Sequence, residues 1–260
     1  MYLADNYLYP NDFETLVYAS QLLQADAIKY GVEHFRRNRG YCMGSAYWQF
    51  NDCWPVASWS SVDSNLRYKA LHYAAKKFYA PVEMGLFLEG GTLSVNISNE
   101  TMKDFEGEVR LYITTSDFNV KDENILKIKV DSLTSKDIVT ISVDMSDMYN
   151  TFVYSDLYDK NGNFVVRNTQ LLCEAKHFEF KKPEIKAEVT SDGQTAAFKV
   201  TSNTFAKGVN IDFDGIDLTL SDNFFDITNN EPYTVTAKTE YSAEKLKKSL
   251  KIMSVYDIGR

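Results

Sequence analysis

The feature that most constrains the fold of this chain is a change of hydrophobic period near residue 82. From there on, apolar and polar residues alternate in short runs, which is the period of a β-strand with one buried face. The clearest runs are residues 92–98, 107–113, 136–143 and 152–158. The last run leads into Asn161-Gly162, a pair that favours tight hairpin turns. Short strands separated by turns at this spacing predict an antiparallel β-sandwich.

A second sandwich is predicted further along the chain. The strand pattern stops at Lys181-Lys182-Pro183 and restarts at residues 185–189 and 196–201. It continues to the end, apart from a helix-prone stretch at 242–248. A break in the strand pattern at a charged stretch with proline indicates a boundary between domains. We therefore expect one sandwich over residues 82–181 and another over residues 182–260.

Residues 1–81 have a different pattern. Apolar residues recur at helical spacing over 11–39, which predicts one long helix. Residues 42–50 form a short apolar run that predicts a strand buried on both faces, as in a parallel sheet. A polar loop follows, and then a second amphipathic helix over 66–79. This order of elements predicts part of an α/β architecture whose site lies in the long loop after the strand.

Composition excludes several classes of function. A net charge of −8 over 260 residues argues against a nucleic-acid partner, which requires a basic face. No run approaches the roughly 18–20 apolar residues of a membrane helix, and the first residues show no secretory signal, so we expect a cytoplasmic chain without a membrane partner. Three cysteines without a CxxC pair and three histidines predict no metal site, and no motif indicates a cofactor.

The densest functional signal is a segment rich in tryptophan. Trp48, Trp54 and Trp59 lie within twelve residues and alternate with amide and carboxylate side chains. Flat aromatic faces pack against the C–H face of a sugar ring, while amides and carboxylates bind its hydroxyl groups. The pattern therefore predicts a sugar pocket. The alternative is that the tryptophans are core residues and that the polar residues hydrogen-bond within the loop.

Two segments give this chain a family resemblance. Residues 44–63 (GSAYWQFNDCWPVASWSSVD), 67–73 (RYKALHY) and 78–82 (FYAPV) closely resemble the β-mannosidases of glycoside hydrolase family 2. Residues 220–227 (LSDNFFDI) with Asn230-Glu231-Pro232 are similar to the segment that closes the family's last immunoglobulin-like domain. The resemblance implies a mixed fold, in which the end of a (β/α)8 barrel (helix, last strand and last helix, residues 1–81) is followed by two antiparallel immunoglobulin-like β-sandwiches.

The resemblance also implies roles for individual residues. Trp48 is expected to be an aromatic platform in the sugar subsite, and Trp54 a wall of the pocket. Asn51 and Asp52 are expected to contact or support the sugar hydroxyls. We expect Trp59 to pack beneath the loop and Cys53 to be a small buried residue. The sequence departs from the family pattern at Phe50, where a leucine is expected.

The catalytic carboxylates of the family are not found in this segment. Retaining glycosidases use two glutamates about 5–5.5 Å apart. The resemblance implies that they lie on earlier barrel strands, one in an Asn-Glu pair and the other in a Ser-Glu-Phe-like segment. The only glutamates in residues 1–80 are Glu14 and Glu33, both in the predicted long helix. We therefore expect no catalytic residue in this chain, and an inactive chain when it is alone.

Three functions remain open on the sequence alone. The first is part of a retaining exo-glycosidase that hydrolyses terminal β-D-mannose residues. The second is a non-catalytic carbohydrate-binding or accessory chain, and the third is a pair of scaffold modules without a ligand. For the first, the expected partners are a β-mannoside oligosaccharide or glycoside, together with the barrel portion that this chain lacks. Because helix faces of a partial barrel lack their covers, we also expect self-association.

Overall fold

The computed structural model describes residues 2–259 and is composed mainly of β-strands. The helices are α1 (Tyr2–Asn6), α2 (Phe13–Arg37), α3 (Ala70–Phe78) and α4 (Ala243–Ser249). The strands are β1 (Val82–Glu89), β2 (Thr92–Asn99), β3 (Phe105–Thr115), β4 (Val120–Val130), β5 (Thr134–Ser142), β6 (Thr151–Asp159), β7 (Phe164–Leu171), β8 (Lys186–Ser191), β9 (Thr195–Thr201), β10 (Ala206–Phe213), β11 (Phe225–Ile227), β12 (Tyr233–Lys238) and β13 (Leu250–Met253). Val255–Asp257 form a short 3-10 helix.

The chain divides into two compact units, each built from separate segments. The central unit contains Asp26–Tyr47 and Ala74–Glu179. The C-terminal unit contains the residues up to Ala25, the segment Trp48–Tyr73, and the chain from Phe180 onward. The division of the sequence into 1–81, 82–181 and 182–260 stays a prediction, since the units are discontinuous along the chain.

The central unit is a sandwich of two antiparallel sheets. Their strand orders are β1-β2-β5 and β4-β3-β6-β7. Because side chains alternate between the faces of a strand, residues on one face of each sheet enter one shared core. Its members include Met84, Leu86, Leu93, Val95, Ile97, Val109, Leu111, Val153 and Leu157. This arrangement confirms the predicted immunoglobulin-like sandwich, including the Asn161-Gly162 turn, where Gly162 has a φ of +80°.

The C-terminal unit contains a second sandwich of antiparallel strands. Its sheets have the orders β12-β9-β8 and β11-β10-β13. Phe198 of β9 meets Phe213 of β10 with ring centroids 5.3 Å apart, so aromatic side chains join the two sheets in the core. The helix-prone stretch forms α4, which begins after Ser242, whose hydroxyl accepts a hydrogen bond from the Lys245 amide.

The first half of α2 packs within the C-terminal unit. Tyr18 donates its hydroxyl to the carbonyl of Gly208 at 2.6 Å and stacks on Phe224 at 6.2 Å. Gly208 has a φ of +64°, and a Cβ added there would lie 3.0 Å from the Tyr18 hydroxyl oxygen. The position therefore requires glycine on two grounds, the backbone conformation and the close approach of the helix. Leu16, by contrast, lies on the exposed side of α2.

Two predictions for the N-terminal region are wrong. Residues 42–50 form no strand, and they are exposed or half-buried. A strand buried on both faces needs a neighbouring strand for its backbone groups, and the only bridge that the described residues give this region joins Asn51 to Val62. The apolar run could not reveal the missing neighbours.

The second helix begins at Ala70 rather than at residue 66. The Asp63 carboxylate accepts hydrogen bonds from the backbone amides of Asn65 at 2.8 Å and Arg67 at 2.9 Å. This turn places Leu66 in the left-handed region, with a φ of +65°. A residue in that conformation cannot continue a right-handed helix, so α3 begins only after the turn.

Replacing Leu111 by alanine tests the shared core of the central unit. Leu111 is fully buried between the two sheets, so its truncation leaves a cavity. We expect the free energy of unfolding, measured by urea denaturation, to fall by about 2–5 kcal/mol. Ile125→Ala on the exposed face of β4 is the control, with an expected change within about 0.5 kcal/mol. Equal effects of the two changes would contradict the assigned core.

Candidate functional site

The tryptophan-rich segment is an irregular loop closed by a few backbone hydrogen bonds. Asn51 forms a parallel bridge to Val62, which itself forms an antiparallel bridge to Tyr68. The Asp52 amide donates to the Val62 carbonyl at 3.0 Å, and the Val62 amide donates to the Phe50 carbonyl at 2.9 Å. The peptide bond between Trp48 and Gln49 is cis. These contacts bring the two ends of the loop together and leave residues 53–58 at its tip.

Asp52 is the buried centre of this loop. Its side chain accepts hydrogen bonds from the hydroxyls of Ser58 at 2.5 Å and Ser60 at 2.6 Å. The Lys69 ammonium donates to Asp52 Oδ2, the oxygen that also accepts from Ser60, at 3.1 Å, and to the Ser60 hydroxyl oxygen at 2.6 Å. We call these four residues the Asp52 network. Only 6% of Asp52 is exposed, so the network fixes the loop from inside.

The network keeps Asp52 ionised. Hydrogen bonds from Ser58 and Ser60, together with the Lys69 ammonium, lower the pKa of Asp52 to about 2. A carboxylate with this pKa holds no proton at neutral pH, so it cannot act as a general acid there. With both oxygens already bound, its geometry is that of an anchor for the loop.

The aromatic side chains of the loop point to solvent. Trp48 is 75% exposed, Trp54 63% and Trp59 69%, and Phe50 is exposed beside them in sequence. The prediction that Trp59 packs beneath the loop is therefore wrong. Its backbone carbonyl, rather than its ring, is held, because it accepts a hydrogen bond from Gln24 of α2 at 2.8 Å.

Two smaller side chains complete the predicted set. Cys53 is exposed at the loop tip, so the expectation of a buried cysteine is wrong. The reason is that the apolar residues of the loop find no core to enter. Asn51 is exposed and donates its side-chain amide to the carbonyl of Asp52 at 3.2 Å.

His72 packs among aromatic rings next to the loop. Its ring centroid lies 4.1 Å from that of Tyr68 and 5.7 Å from that of Phe50. Its Nδ1 lies 3.2 Å from the Ser61 hydroxyl. Burial lowers the pKa of His72, which favours the neutral imidazole. Within residues 2–259, no three His, Cys, Asp or Glu side chains meet as a metal site requires.

Sequence reasoning missed three of the side chains that bind the Asp52 carboxylate. Ser58, Ser60 and Lys69 belong to no motif that spacing alone could identify. The available signal was the carboxylate itself, because a buried carboxylate requires donors close by in the folded chain. The sequence could show that need without showing which hydroxyls and which ammonium meet it.

The two glutamates of the first 80 residues have other surroundings. Glu14 lies exposed in the first turn of α2. Glu33 is buried in the central unit, where it lies 3.6 Å from the Lys29 ammonium and accepts a hydrogen bond from Asn168 at 3.3 Å. Within the described residues, neither is part of the Asp52 network.

Comparison with known proteins assigns both sandwiches. A family profile described as the mannosidase Ig/CBM-like domain matches residues 91–177, and one described as an Ig-fold domain of mannosidases matches residues 180–258. The crystal structure of a β-D-mannosidase from Dictyoglomus thermophilum superposes over 97% of the chain with a TM-score of 0.88 and 25% identity. The chain is therefore similar to mannosidases over both sandwiches.

Sequence relatives agree with this assignment. β-Mannosidase B of Thermothelomyces thermophilus is 27% identical over 90% of the chain, and that of Aspergillus terreus 28% identical over 90%. An exo-chitosanase of Amycolatopsis orientalis shares the fold, with a TM-score of 0.75 and 20% identity over 98% of the chain. The β-mannosidase-like chain spans about a third of the length of these proteins, 31%, 30% and 35% respectively. None of the helices within residues 2–259 is long and apolar enough to cross a bilayer.

Replacing Ser58 by alanine tests the Asp52 network. Because the variant loses the hydrogen bond that lowers the pKa of Asp52 most, we expect this pKa to rise from about 2 toward its ordinary value of 3.8. A lowered pKa contributes stability above the ordinary value that is lost as the pH falls toward 2. The variant should therefore be less stable than the wild type at pH 7, and this difference should shrink below pH 4.

Carbon NMR titration of the Asp52 carboxyl measures the pKa, and urea denaturation measures the stability. Ser64→Ala is the matched control, since Ser64 lies on the same segment outside the network. An unchanged Asp52 pKa in Ser58→Ala would show that the serine hydroxyl does not hold the carboxylate.

Proposed function

We propose that this chain forms the C-terminal portion of a retaining exo-glycosidase that hydrolyses terminal non-reducing β-D-mannose residues. The observation that supports this best is the exposed Trp48 beside a loop fixed by the Asp52 network. The relatives named as β-mannosidases and the likeness to the Dictyoglomus enzyme support the same class of substrate. In this proposal, residues 1–81 are the end of a (β/α)8 barrel, with the loop at its sugar-facing side.

Trp48 and Trp54 supply the apolar part of the subsite. Both indole rings are largely exposed on a loop whose backbone is fixed at its base. An exposed ring on a rigid support can pack against the C–H face of a pyranose at little cost in conformational entropy. Trp48 is the platform in this proposal, and Trp54 is the wall.

Asn51 and Asp52 have different roles. The amide of Asn51 lies at the surface and can exchange hydrogen bonds with a sugar hydroxyl. Asp52 supports the sugar indirectly, because its oxygens already accept from Ser58, Ser60 and Lys69. Its contribution is to hold Asn51 and the tryptophans in place.

Both catalytic glutamates come from polypeptide outside this chain in the proposed enzyme. Asp52 is ionised with its oxygens occupied, which leaves no proton donor in the network. A retaining mechanism needs a nucleophile and a proton donor about 5–5.5 Å apart, and a single anchored aspartate cannot supply both. The natural partner of the exposed segment is then the remaining part of the barrel, and in its absence a second copy of the chain.

A second candidate function is carbohydrate binding without hydrolysis. The observation that favours it is that Trp48, Trp54 and Trp59 are all exposed in this chain, so that its aromatic surface does not depend on the barrel portion. The chain would then bind a mannoside on its own. This function shares the ligand of the first and differs in the absence of bond cleavage.

An activity assay separates the two functions. We expect the 260-residue chain to release no measurable product from an aryl β-mannoside. A longer polypeptide, in which the chain is joined to the barrel portion of a relative, should be active, because it contains both carboxylates. Turnover by the 260-residue chain would contradict the proposal, and so would an inactive but folded longer polypeptide that binds the sugar.

Trp48→Ala tests the aromatic platform in the longer polypeptide. We expect kcat/KM to fall about tenfold or more, which corresponds to about 1.4 kcal/mol of lost transition-state binding. Trp59→Ala removes an equally exposed ring that has no proposed sugar contact, and it should leave kcat/KM within about twofold of the wild type. Equal losses in the two variants would assign the effect to the loop rather than to the platform.

A further inference from the structure

A second cluster of charged residues lies on the outer face of the first sandwich, within the central unit. The side chains of Met84 and Leu86 in β1 enter the core, so those of Glu83 and Phe87 face the other way, with Gly85 between them. The second half of α2 packs on this outer face. Arg37 places its guanidinium 3.7 Å from the centre of the Phe87 ring, and Arg36 approaches Glu83.

The cluster contains two buried carboxylates and two cations. Lys29, Glu33 and Arg36 belong to α2, and Glu83 belongs to β1. Glu33 and Glu83 are 5% and 4% exposed. Burial of two carboxylates side by side is costly unless donors compensate both of them, so the partners of each decide which one keeps its charge.

Glu33 has hydrogen-bonding and ionic partners, although burial still raises its pKa. Its Oε1 accepts a hydrogen bond from the side-chain amide of Asn168 at 3.3 Å and lies 3.6 Å from the Lys29 ammonium. Asn168 is itself fixed, because it donates to the Met84 carbonyl at 2.8 Å and accepts from Lys29 at 2.5 Å. This part of the cluster is a connected network.

Glu83 has no such network. Its Oε2 lies 3.9 Å from Arg36 Nε, which is beyond hydrogen-bond distance, and its Oε1 is buried without a hydrogen-bond partner among the described residues. Arg36 donates from Nη1 to the Phe78 carbonyl at 2.7 Å, while its Nε and Nη2 are also buried and lack partners in that part of the chain. The two opposite charges therefore form only a long ion pair of 3.9 Å, without a hydrogen bond between them among the described residues.

The surroundings of Glu83 are otherwise apolar or neutral. A Cβ added to Gly85 would lie 2.7 Å from the Phe87 ring and 3.4 Å from Glu83 Oε1, so ring and carboxyl cover the same glycine. Ser98 of β2 lies opposite Glu83 in register. Among the described residues, the charged groups that act on Glu83 are Glu33, Arg36 and Lys29, all on α2.

We propose that Glu83 is a proton-binding site and that the proton it holds locks residues 26–37 of α2 onto the outer face of β1. A protonated carboxyl removes one of the two adjacent negative charges and needs no desolvated counterion. When the proton leaves, a buried carboxylate remains beside Glu33 with only a distant guanidinium, and the contact between helix and sheet weakens. The lock is independent of the proposed sugar site.

The direction of the pH effect follows from the cluster. Burial and the neighbouring Glu33 raise the pKa of Glu83 from 4.5 to about 8, and Arg36 and Lys29 oppose this only in part. Between these two values the folded chain binds a proton that the unfolded chain has released. Stability should therefore fall as the pH rises from about 5 to 8, by up to about tenfold in the unfolding equilibrium constant per pH unit.

Urea denaturation of the full chain at pH 5, 6.5 and 8 tests the lock. In Glu83→Gln a neutral amide replaces the carboxyl. We expect this variant to be close to the wild type at pH 5 and more stable than it at pH 8, with the gap widening between. Glu89→Gln is the matched control, an exposed glutamate at the end of the same strand, and its pH dependence should follow the wild type. A constant gap between Glu83→Gln and the wild type would overturn the proposal.

Two measurements on the wild type test the same claim without a variant. Carbon NMR titration should show the Glu83 carboxyl, assigned through its own backbone signals, changing charge well above pH 6. Hydrogen-exchange protection factors of residues 26–37 should fall between pH 6 and 8, while those of β3 and β6 stay constant. A Glu83 carboxyl that titrates near 4.5, or helix protection that is independent of pH, would refute the lock.

Discussion

The loop that contains the tryptophans depends on one buried carboxylate. Residues 48–69 have no strand ladder and no helix, so their backbone is held by a few bridges and by the side chain of Asp52. Two serine hydroxyls and one ammonium satisfy that carboxylate, and each donor comes from a different point of the chain. Because an uncompensated buried charge is strongly destabilising, the network fixes all of these points together. The exposed rings of Trp48 and Trp54 can face solvent in a defined place only because the loop beneath them is fixed in this way.

The two halves of helix α2 are held by different kinds of contact, one neutral and one charged. Its first half meets the C-terminal unit through neutral contacts, in which Tyr18 packs on Phe224 and donates to a glycine carbonyl. Its second half meets β1 in the central unit through charges, of which Glu33 has a hydrogen-bond partner and Glu83 Oε1 has none among the described residues. Neutral aromatic packing changes little with pH between 5 and 8. The charged contact is the one whose strength depends on protonation, since a buried carboxyl can bind or release a proton.

The sequence predicted the parts of the fold whose pattern is local. β2 and β3 follow the alternation closely, because one face of each strand lies in the core. The strand predicted over residues 42–50 was wrong, because an apolar run indicates that a segment is suited to burial without indicating what covers it. The predictions that Trp59 and Cys53 are buried were wrong for the same reason, because the loop has no core for them to enter. Asp52 was predicted as a site residue, but its partners Ser58, Ser60 and Lys69 could be found only in three dimensions.

We propose above that the Trp48 ring contacts the sugar and that the Asp52 carboxylate supports the loop from within. The most direct measurement is a crystal structure of the longer polypeptide with a mannose-configured inhibitor. We expect the Trp48 ring to be in van der Waals contact with the sugar, at about 3.5–4 Å, and Asp52 to remain bound to Ser58, Ser60 and Lys69. A sugar bound away from Trp48, or one whose hydroxyls replace the serines on Asp52, would contradict the proposal.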